Sequence, residues 1–500
     1  MGALFSSPVL AAEAWDTTQK ATTDNLSTIL RQLTENYPNE TAVVSLHQYV
    51  KSYGQHGEQD TKQPIRLTFS ELHNESLKFA KHLSTKGVTP GSAIVAILFN
   101  QIEWAVSFWA AAHLGCQFVP LDPRAFGRKE DAQYLLGKTT ASTIIVSTEE
   151  MAMKVDDALS TLQVTPVIRC IANINQIPYT VPGWTGLPDA SDSPEIGGDI
   201  SLPTSPRTPQ EPAITFFTSG TSGSPKACPQ SSINIHAAAL GFSNRLALDS
   251  SYSVCQHLPS FHVFSVVITL SVWLRGGSII FPSPGFDPSS SIQAIEYGRN
   301  VILPCVPLMA QAIAKSPTLL KPFNTLDSIV LGGAPISPEV IEVAKSLGTK
   351  RVNVGFGMSE GVITLLNVMN AEQAKANANG DVSLGTVVSG SKVRICAPGS
   401  RKPLARGELG ELHQGGLPVF NGYLGMSDNS CYHEDGINFI ATGDQAYMDE
   451  EGHVYILGRY KDLIIRGGEN ISPSKIENFL AQATGIAVSF RSRTLLFIVF

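Results

Sequence analysis

"TSGTSGSPK", Thr218–Lys226, gathers hydroxyls and glycines ahead of a single lysine. Small residues let backbone N–H groups and hydroxyls close on an anion, and phosphate oxygens are the commonest anion met this way. The stretch reads as a phosphate cradle, with a Ser/Gly-rich surface turn as the alternative reading of its composition. A G-x-x-x-x-G-K-[ST] loop would run straight into a helix whose N-terminus faces the phosphates. Here Pro225 precedes the lysine and Pro229 follows it; each lacks an N–H and biases its predecessor to extended geometry, so no helix begins directly after Lys226. The expected order is strand Ala213–Phe217, loop, and short extended segment. A helix follows from about Ile233, capped by Ser231 or Ser232, with Ile233, Ala237 and Leu240 on one face.

Outward from the loop, helical and strand periodicities alternate. Thr68–Gly87 predicts an amphipathic helix with Leu72, Leu77, Ala80 and Leu83 on its apolar face. Ser92–Phe99, "SAIVAILF", is a continuous apolar run of the kind covered on both faces, and the helix Trp104–Leu114 and the strand Ser142–Val146 extend the parallel α/β pattern. A Pro/Gly/Ser/Asp-rich excursion spans 178–212. Ser328–Ser337 predicts a strand and turn followed by a helix through Leu347, and residues from about 382 to 455 read as a small β subdomain. The fold class is α/β: a large N-terminal domain of several subdomains, 1–460, with layered sheets, flanking helices and a β subdomain. A short α+β C-terminal domain, 461–500, follows.

The 500-residue chain carries 36 basic and 43 acidic residues, a net charge of −7 that argues against nucleic acid or an anionic membrane as partner. Seven cysteines without a C-x-x-C pair favour reduced thiols and a cytoplasmic setting. The longest apolar run, Val263–Leu274, is too short to span a bilayer and reads as a core helix. Met1–Ser6 matches a myristoylation pattern, but no polybasic segment reinforces it.

Four further stretches follow the loop in order: "GFGMSEG" (355–361), "ATGD" (441–444), "GRYKD" (458–462) and "IRGGENISPSKIE" (465–477). Together they make the chain resemble the AMP-forming adenylating superfamily of acyl-CoA and aryl-CoA ligases, peptide-synthetase adenylation domains and luciferases, over roughly Leu67–Glu477, and "LPSFHVFS" (258–265) matches the segment that enters the acyl pocket in that family. The resemblance implies ATP, Mg²⁺ and coenzyme A as cofactors. It assigns phosphate binding to Thr218, Ser219, Gly220, Thr221, Ser222, Gly223 and Lys226, and the metal to Glu360. The nucleotide site would also take Gly333, Ala334, Pro335, Gly355, Phe356, Gly357, Met358 and Ser359, with Asp444 on the ribose diol and Arg459 beside it. Lys461 would be a hinge, and Gly467 and Gly468 would line a pantetheine tunnel. Read alone, Phe356 is equally a core aromatic, Glu360 an exposed carboxylate and Asp444 a turn cap.

The implied reaction joins a carboxylic acid to AMP and then to the thiol of coenzyme A, or of a carrier protein, with Lys226, Glu360 and His262 catalytic. Phe261, His262, Val263, Phe264, Val306, Leu308, Met309 and Gly332 would form the acyl pocket. An α-ammonium would need a buried counter-charge where His262 stands, so a fatty, polyketide-like or aryl acid is expected in place of an amino acid. Members of the superfamily continue further and carry a late lysine, whereas no lysine follows Lys475 here; an impaired nucleotide- or acyl-binding protein is the alternative expectation.

Overall fold

The computed structural model describes residues 10–49, 63–172, 181–187, 207–218 and 224–462, and the short stretches 464–466, 469–471, 488–489 and 497–498. Within "SAIVAILF" the strand Ala93–Ile97 is buried throughout because alternate side chains feed two cores. Ile94 and Ala96 face a core shared with the helices Phe69–Thr85 and Ile102–His113, while Val95 and Ile97 meet Leu136 and Val155 of Lys129–Thr139 and Glu149–Leu159. The strand Val301–Cys305 divides in the same way. Ile302 joins the shared core, and Val301 and Leu303 pack with Ile313 and Ile341 of the helices Pro307–Ala314 and Pro338–Ser346. Two sheets thus sandwich a middle layer of helices and carry further helices outside, a layered α/β architecture.

Among the described residues, the first sheet orders its strands Lys226–Ser231, Pro212–Thr218, Gln117–Pro120, Ala93–Ile97, Ala141–Val146, Ile168–Ile171 and Thr185–Gly186, parallel except for the first pair. The second sheet has a parallel centre, from Arg351–Phe356 through Leu326–Leu331, Val301–Cys305, Ser253–Cys255 and Ser278–Phe281 to Thr41–Tyr49. Antiparallel strands flank it on both sides. A third, antiparallel sheet is built from Ser391–Cys396, Gly410–Gly416, Cys431–Glu434, Ile437–Met448 and Val454–Arg459. The N-terminal strand Glu13–Trp15 completes it, held by Glu13 against Lys392 and Arg394. Within 382–455, Thr386–Val387 instead pairs with the second sheet.

The segment after the phosphate loop folds as read: Lys226–Ser231 is an extended edge strand paired with Pro212–Thr218, Lys226 opposite Thr218. Pro229 is tolerated because this strand ends the sheet. Ser231 then caps the helix Ser232–Leu246 through a capping box with Asn234. Thr68 makes the same motif with Glu71 ahead of Phe69–Thr85. On that helix Phe79 is buried and Leu77 only half-buried, since the stripe Leu72, Ser76, Phe79, Ala80, Leu83 follows the helical period more closely.

Candidate functional site

In open α/β sheets ligands collect beyond the carboxyl ends of parallel strands. The second sheet presents Val306, Gly332–Gly333 and Phe356 there, following Cys305 and Leu331 and closing Arg351–Phe356. The first sheet presents Thr218 from Pro212–Thr218, and Asp122 and Arg124 beyond Gln117–Pro120. Asn100 ties the two rims together. Its side-chain amide donates to the carbonyls of Gln256 and Leu258 at 3.1 and 3.0 Å, and its Oδ1 accepts from the Ser260 N–H. It therefore holds the chain that leads into Phe261 and His262.

Lys226 leaves the hairpin loop and points its Nζ to Asp428 Oδ2 at 2.7 Å, over the ring of Tyr423 at 4.7 Å. The Tyr423 hydroxyl donates to Glu360 Oε1 at 2.6 Å. Glu360 is 6% exposed. Burial raises its pKa against the opposing pull of the Tyr423 hydrogen bond and of the Arg459 and Lys226 charges. The turn that carries it is tightly closed: Met358 and Gly361 exchange backbone hydrogen bonds, and a Cβ on Gly357 would meet the Val362 carbonyl at 1.8 Å. Gln230, from the lysine's own strand, donates its side-chain N–H to the Ser359 carbonyl at 2.5 Å and fixes the turn beside the loop.

Asp444 lies opposite Arg459 in the register of two paired strands. Its Oδ1 accepts from Arg459 Nε at 3.1 Å, whereas Oδ2 is buried without a partner. Burial raises its pKa and the Arg459 charge opposes that shift. An unpartnered buried oxygen is costly unless a donor arrives, and a cis-diol supplies one.

On the other side of the crevice, Phe264 lies beside Gly332 and Gly355. A Cβ on Gly332 would sit 3.1 Å from the Gly355 carbonyl and 3.6 Å from Phe264 Cζ. Phe261, Val263, Phe264, Val306 and Met309 are half-buried, and Val306 stands 3.4 Å from where a Cβ on Gly333 would sit. Leu308 is 71% exposed, turned outward on the first turn of Pro307–Ala314. His262 begins the helix Val263–Trp273 and its ring meets that of Phe261 at 4.6 Å. It retains open surface but stands among enough protein atoms for desolvation to lower its pKa, with Asp122 raising it and Arg124 lowering it. Arg124, gripped by Asp122, covers the Phe261 ring at 5.6 Å.

The structure therefore brings Lys226 and Glu360 into one cluster and sets Arg459, with Asp444, close enough for its charge to reach Glu360. Gly333, Ala334 and Pro335 form an exposed turn after Leu326–Leu331, the strand next to Arg351–Phe356, and Lys461 is exposed in the short 3₁₀ turn Tyr460–Asp462. Ser219, Gly220, Thr221, Ser222, Gly223, Gly467 and Gly468 lie outside the described residues. Tyr423, Asp428, Gln230 and Asn100 escaped the sequence reading, because each acts on a partner far away in the chain, 202 positions for Asp428 and Lys226.

Layered α/β sheets that bring a lysine and a buried carboxylate together beyond their strand ends, with an orphaned aspartate oxygen on an adjoining antiparallel sheet, have the build of a nucleotide-binding enzyme. The family model described as AMP-binding enzyme matches residues 30–424, and the chain belongs to that family. Among its relatives, the acyl-CoA ligase sidI of Aspergillus fumigatus is 28% identical over 443 residues, 85% of this chain and 73% of that protein. The feruloyl-CoA synthase of an Amycolatopsis species is 28% identical over 423 residues, 84% of this chain and 79% of that one. Among solved structures, ATP-bound MatB from Rhodopseudomonas palustris superposes with a TM-score of 0.72 at 22% identity, covering 93% of this chain and 85% of that one. O-succinylbenzoate coenzyme A synthetase (MenE) from Bacillus subtilis, in complex with ATP and magnesium, gives 0.73 at 20% identity, covering 95% and 89%.

Proposed function

We propose that the chain is an AMP-forming acid–thiol ligase that activates a carboxylic acid with ATP and passes the acyl group to the thiol of coenzyme A. The observation that carries this reading is the convergence of Lys226 and Glu360 through Tyr423, with a buried, unpartnered Asp444 oxygen nearby. The names of its relatives, acyl-CoA ligases and synthases, support the acceptor.

In the first half-reaction the substrate carboxylate oxygen bonds to the α-phosphorus and the bond to the β-phosphate oxygen breaks, releasing pyrophosphate. Lys226 faces the charge that develops there, Asp444 Oδ2 accepts from the ribose diol, and Phe356 offers a face to adenine. Magnesium fits Glu360. The residue is a single buried carboxylate, no group of three or more acidic, histidine or cysteine ligands stands among the described residues, and this ion binds through few protein oxygens when phosphates supply the rest. When bound it would neutralise phosphate charge. In the second half-reaction the thiol sulfur bonds to the acyl carbon, AMP leaves and the thiol proton is released. His262, exposed at the start of the helix Val263–Trp273, would gate that passage. The half-buried Phe261, Val263, Phe264, Val306 and Met309 favour an apolar or aryl acid. The exposed turn at Lys461, directly after the last strand of the third sheet, supports a division there between a large domain and the residues beyond it.

The test is acid-dependent ATP–pyrophosphate exchange with a panel of fatty and aryl acids, followed by a comparison of coenzyme A with carrier protein as acceptor. Exchange that Lys226→Ala lowers by about 10²- to 10³-fold is expected; no exchange with any acid would sink the reading.

A further inference from the structure

The geometry points to Asp428 as a positioning residue for Lys226, a role that rests on the ligase reading above. Its carboxylate is itself tied down: Oδ1 accepts from the Ser430 N–H at 3.0 Å and from the Ser430 hydroxyl at 2.7 Å. Oδ2 is left for Lys226 Nζ at 2.7 Å. Both side chains of the pair are about a fifth exposed, at 20% and 22%. The ion pair is thus partly sheltered from solvent screening and its lysine is less free to roam than a surface lysine. The loop that bears Asp428 is anchored in turn, since the Leu424 N–H donates to the Ala227 carbonyl, next to the lysine in its own strand. An ammonium has three donors. One is spent on Asp428, and the others remain for phosphate oxygens from a fixed origin above the Tyr423 ring. Among the described residues the groups around the ammonium are Asp428, Tyr423, Glu360 and Cys431, and of these the Asp428 carboxylate is the charged group in direct contact with it.

A carboxylate beside a triphosphate is unfavourable for ground-state binding, so its presence makes sense where orientation of the lysine matters more than raw attraction. The two contributions separate by mutation. In Asp428→Asn the anion that repels ATP is gone, but the lysine loses its tether. KM for ATP is expected to stay within about threefold of wild type or to fall, while kcat for exchange drops about tenfold or more. In the Lys226→Ala background the same change has nothing left to position and removes only repulsion. The double variant is therefore expected to bind ATP more tightly than Lys226→Ala alone and to lose no further rate. Asp428→Glu, which keeps the charge, is expected to retain more activity than Asp428→Asn.

The experiment is a double-mutant cycle on the full chain, read both as ATP–pyrophosphate exchange and as equilibrium binding of magnesium-ATP. Equal losses from Asp428→Asn with and without Lys226, or no loss in the single variant, would overturn the inference, because a residue that merely braces its loop acts independently of the lysine. If wild type binds ATP but exchanges with no acid, the ligase reading fails separately. The binding cycle then still decides: a change in ATP affinity on Asp428→Asn that differs between the wild-type and Lys226→Ala backgrounds upholds the pairing, and the same change in both rejects it.

Discussion

At the scale of single residues, two aspartates of the site respond to pH in opposite directions. Asp444 is 4% exposed and burial raises its pKa, whereas the hydrogen bonds from Lys226 and Ser430 outweigh burial at Asp428 and bring it down to about 2. Only an ionised Asp444 accepts fully from a diol, so KM for ATP should climb as pH falls through that raised pKa, starting above the ordinary carboxylate value of about 3.9. Asp444→Asn should remove this limb and leave KM about ten- to a hundredfold higher at every pH, which a KM profile from about pH 5 to about pH 8 would reveal. The stability signs follow by linkage. For Asp444 the unfolded chain gives up its proton first, so the folded state loses stability as pH rises between the two pKa values, and Asp444→Asn should raise the denaturation midpoint near neutral pH. For Asp428 the stabilisation is present above the unfolded pKa and fades as pH falls toward about 2. None of this could be read from "ATGD" or from the unremarked Asp428, because burial and partner are properties of neighbours brought in by folding.

At the scale of elements, the hairpin and helix around the phosphate loop show how local chemistry becomes placement. Ser231 and Asn234 close a capping box that the serine made legible, though the helix begins at Ser232, one residue before the expected start. Asn234 does more than cap. Its side-chain N–H groups donate to the carbonyls of Leu417 and Val419 at 2.8 and 2.9 Å, fastening the helix start to the chain that leads to Tyr423. Ser231→Ala should cost about 1 kcal/mol, a cap alone. Asn234→Ala should cost roughly 2 kcal/mol or more, since it also strands those two carbonyls, and chemical denaturation would separate the two values. The helices and buried strands were readable because their periods are written in the chain. The strand Glu13–Trp15 was not, being only three residues long and defined by a partner at Lys392–Arg394.

At the scale of the whole molecule, the two large sheets are joined by an aromatic centre. Trp109 meets Trp273 edge-on at 5.7 Å, Phe108 stacks on Trp273, and the Trp273 indole N–H donates to the Ala42 carbonyl at 2.8 Å. Trp273→Ala should therefore cost about 3–5 kcal/mol and shift the unfolding of both sheets together, with far-UV circular dichroism and intrinsic fluorescence moving in step. Among the described residues no helix is long and apolar enough to cross a membrane, and Val263–Trp273 lies in this middle layer, as its short apolar run implied. The sequence by itself determined the layered α/β class, the extended segment after the loop and the identity of the lysine and carboxylates, because period, proline and residue chemistry act locally. Only the tertiary structure decided that Asp428 grips Lys226, that Tyr423 links it to Glu360, and that one oxygen of Asp444 is buried without a partner. Those relations join residues far apart in the chain, and they exist only once the strands are packed side by side.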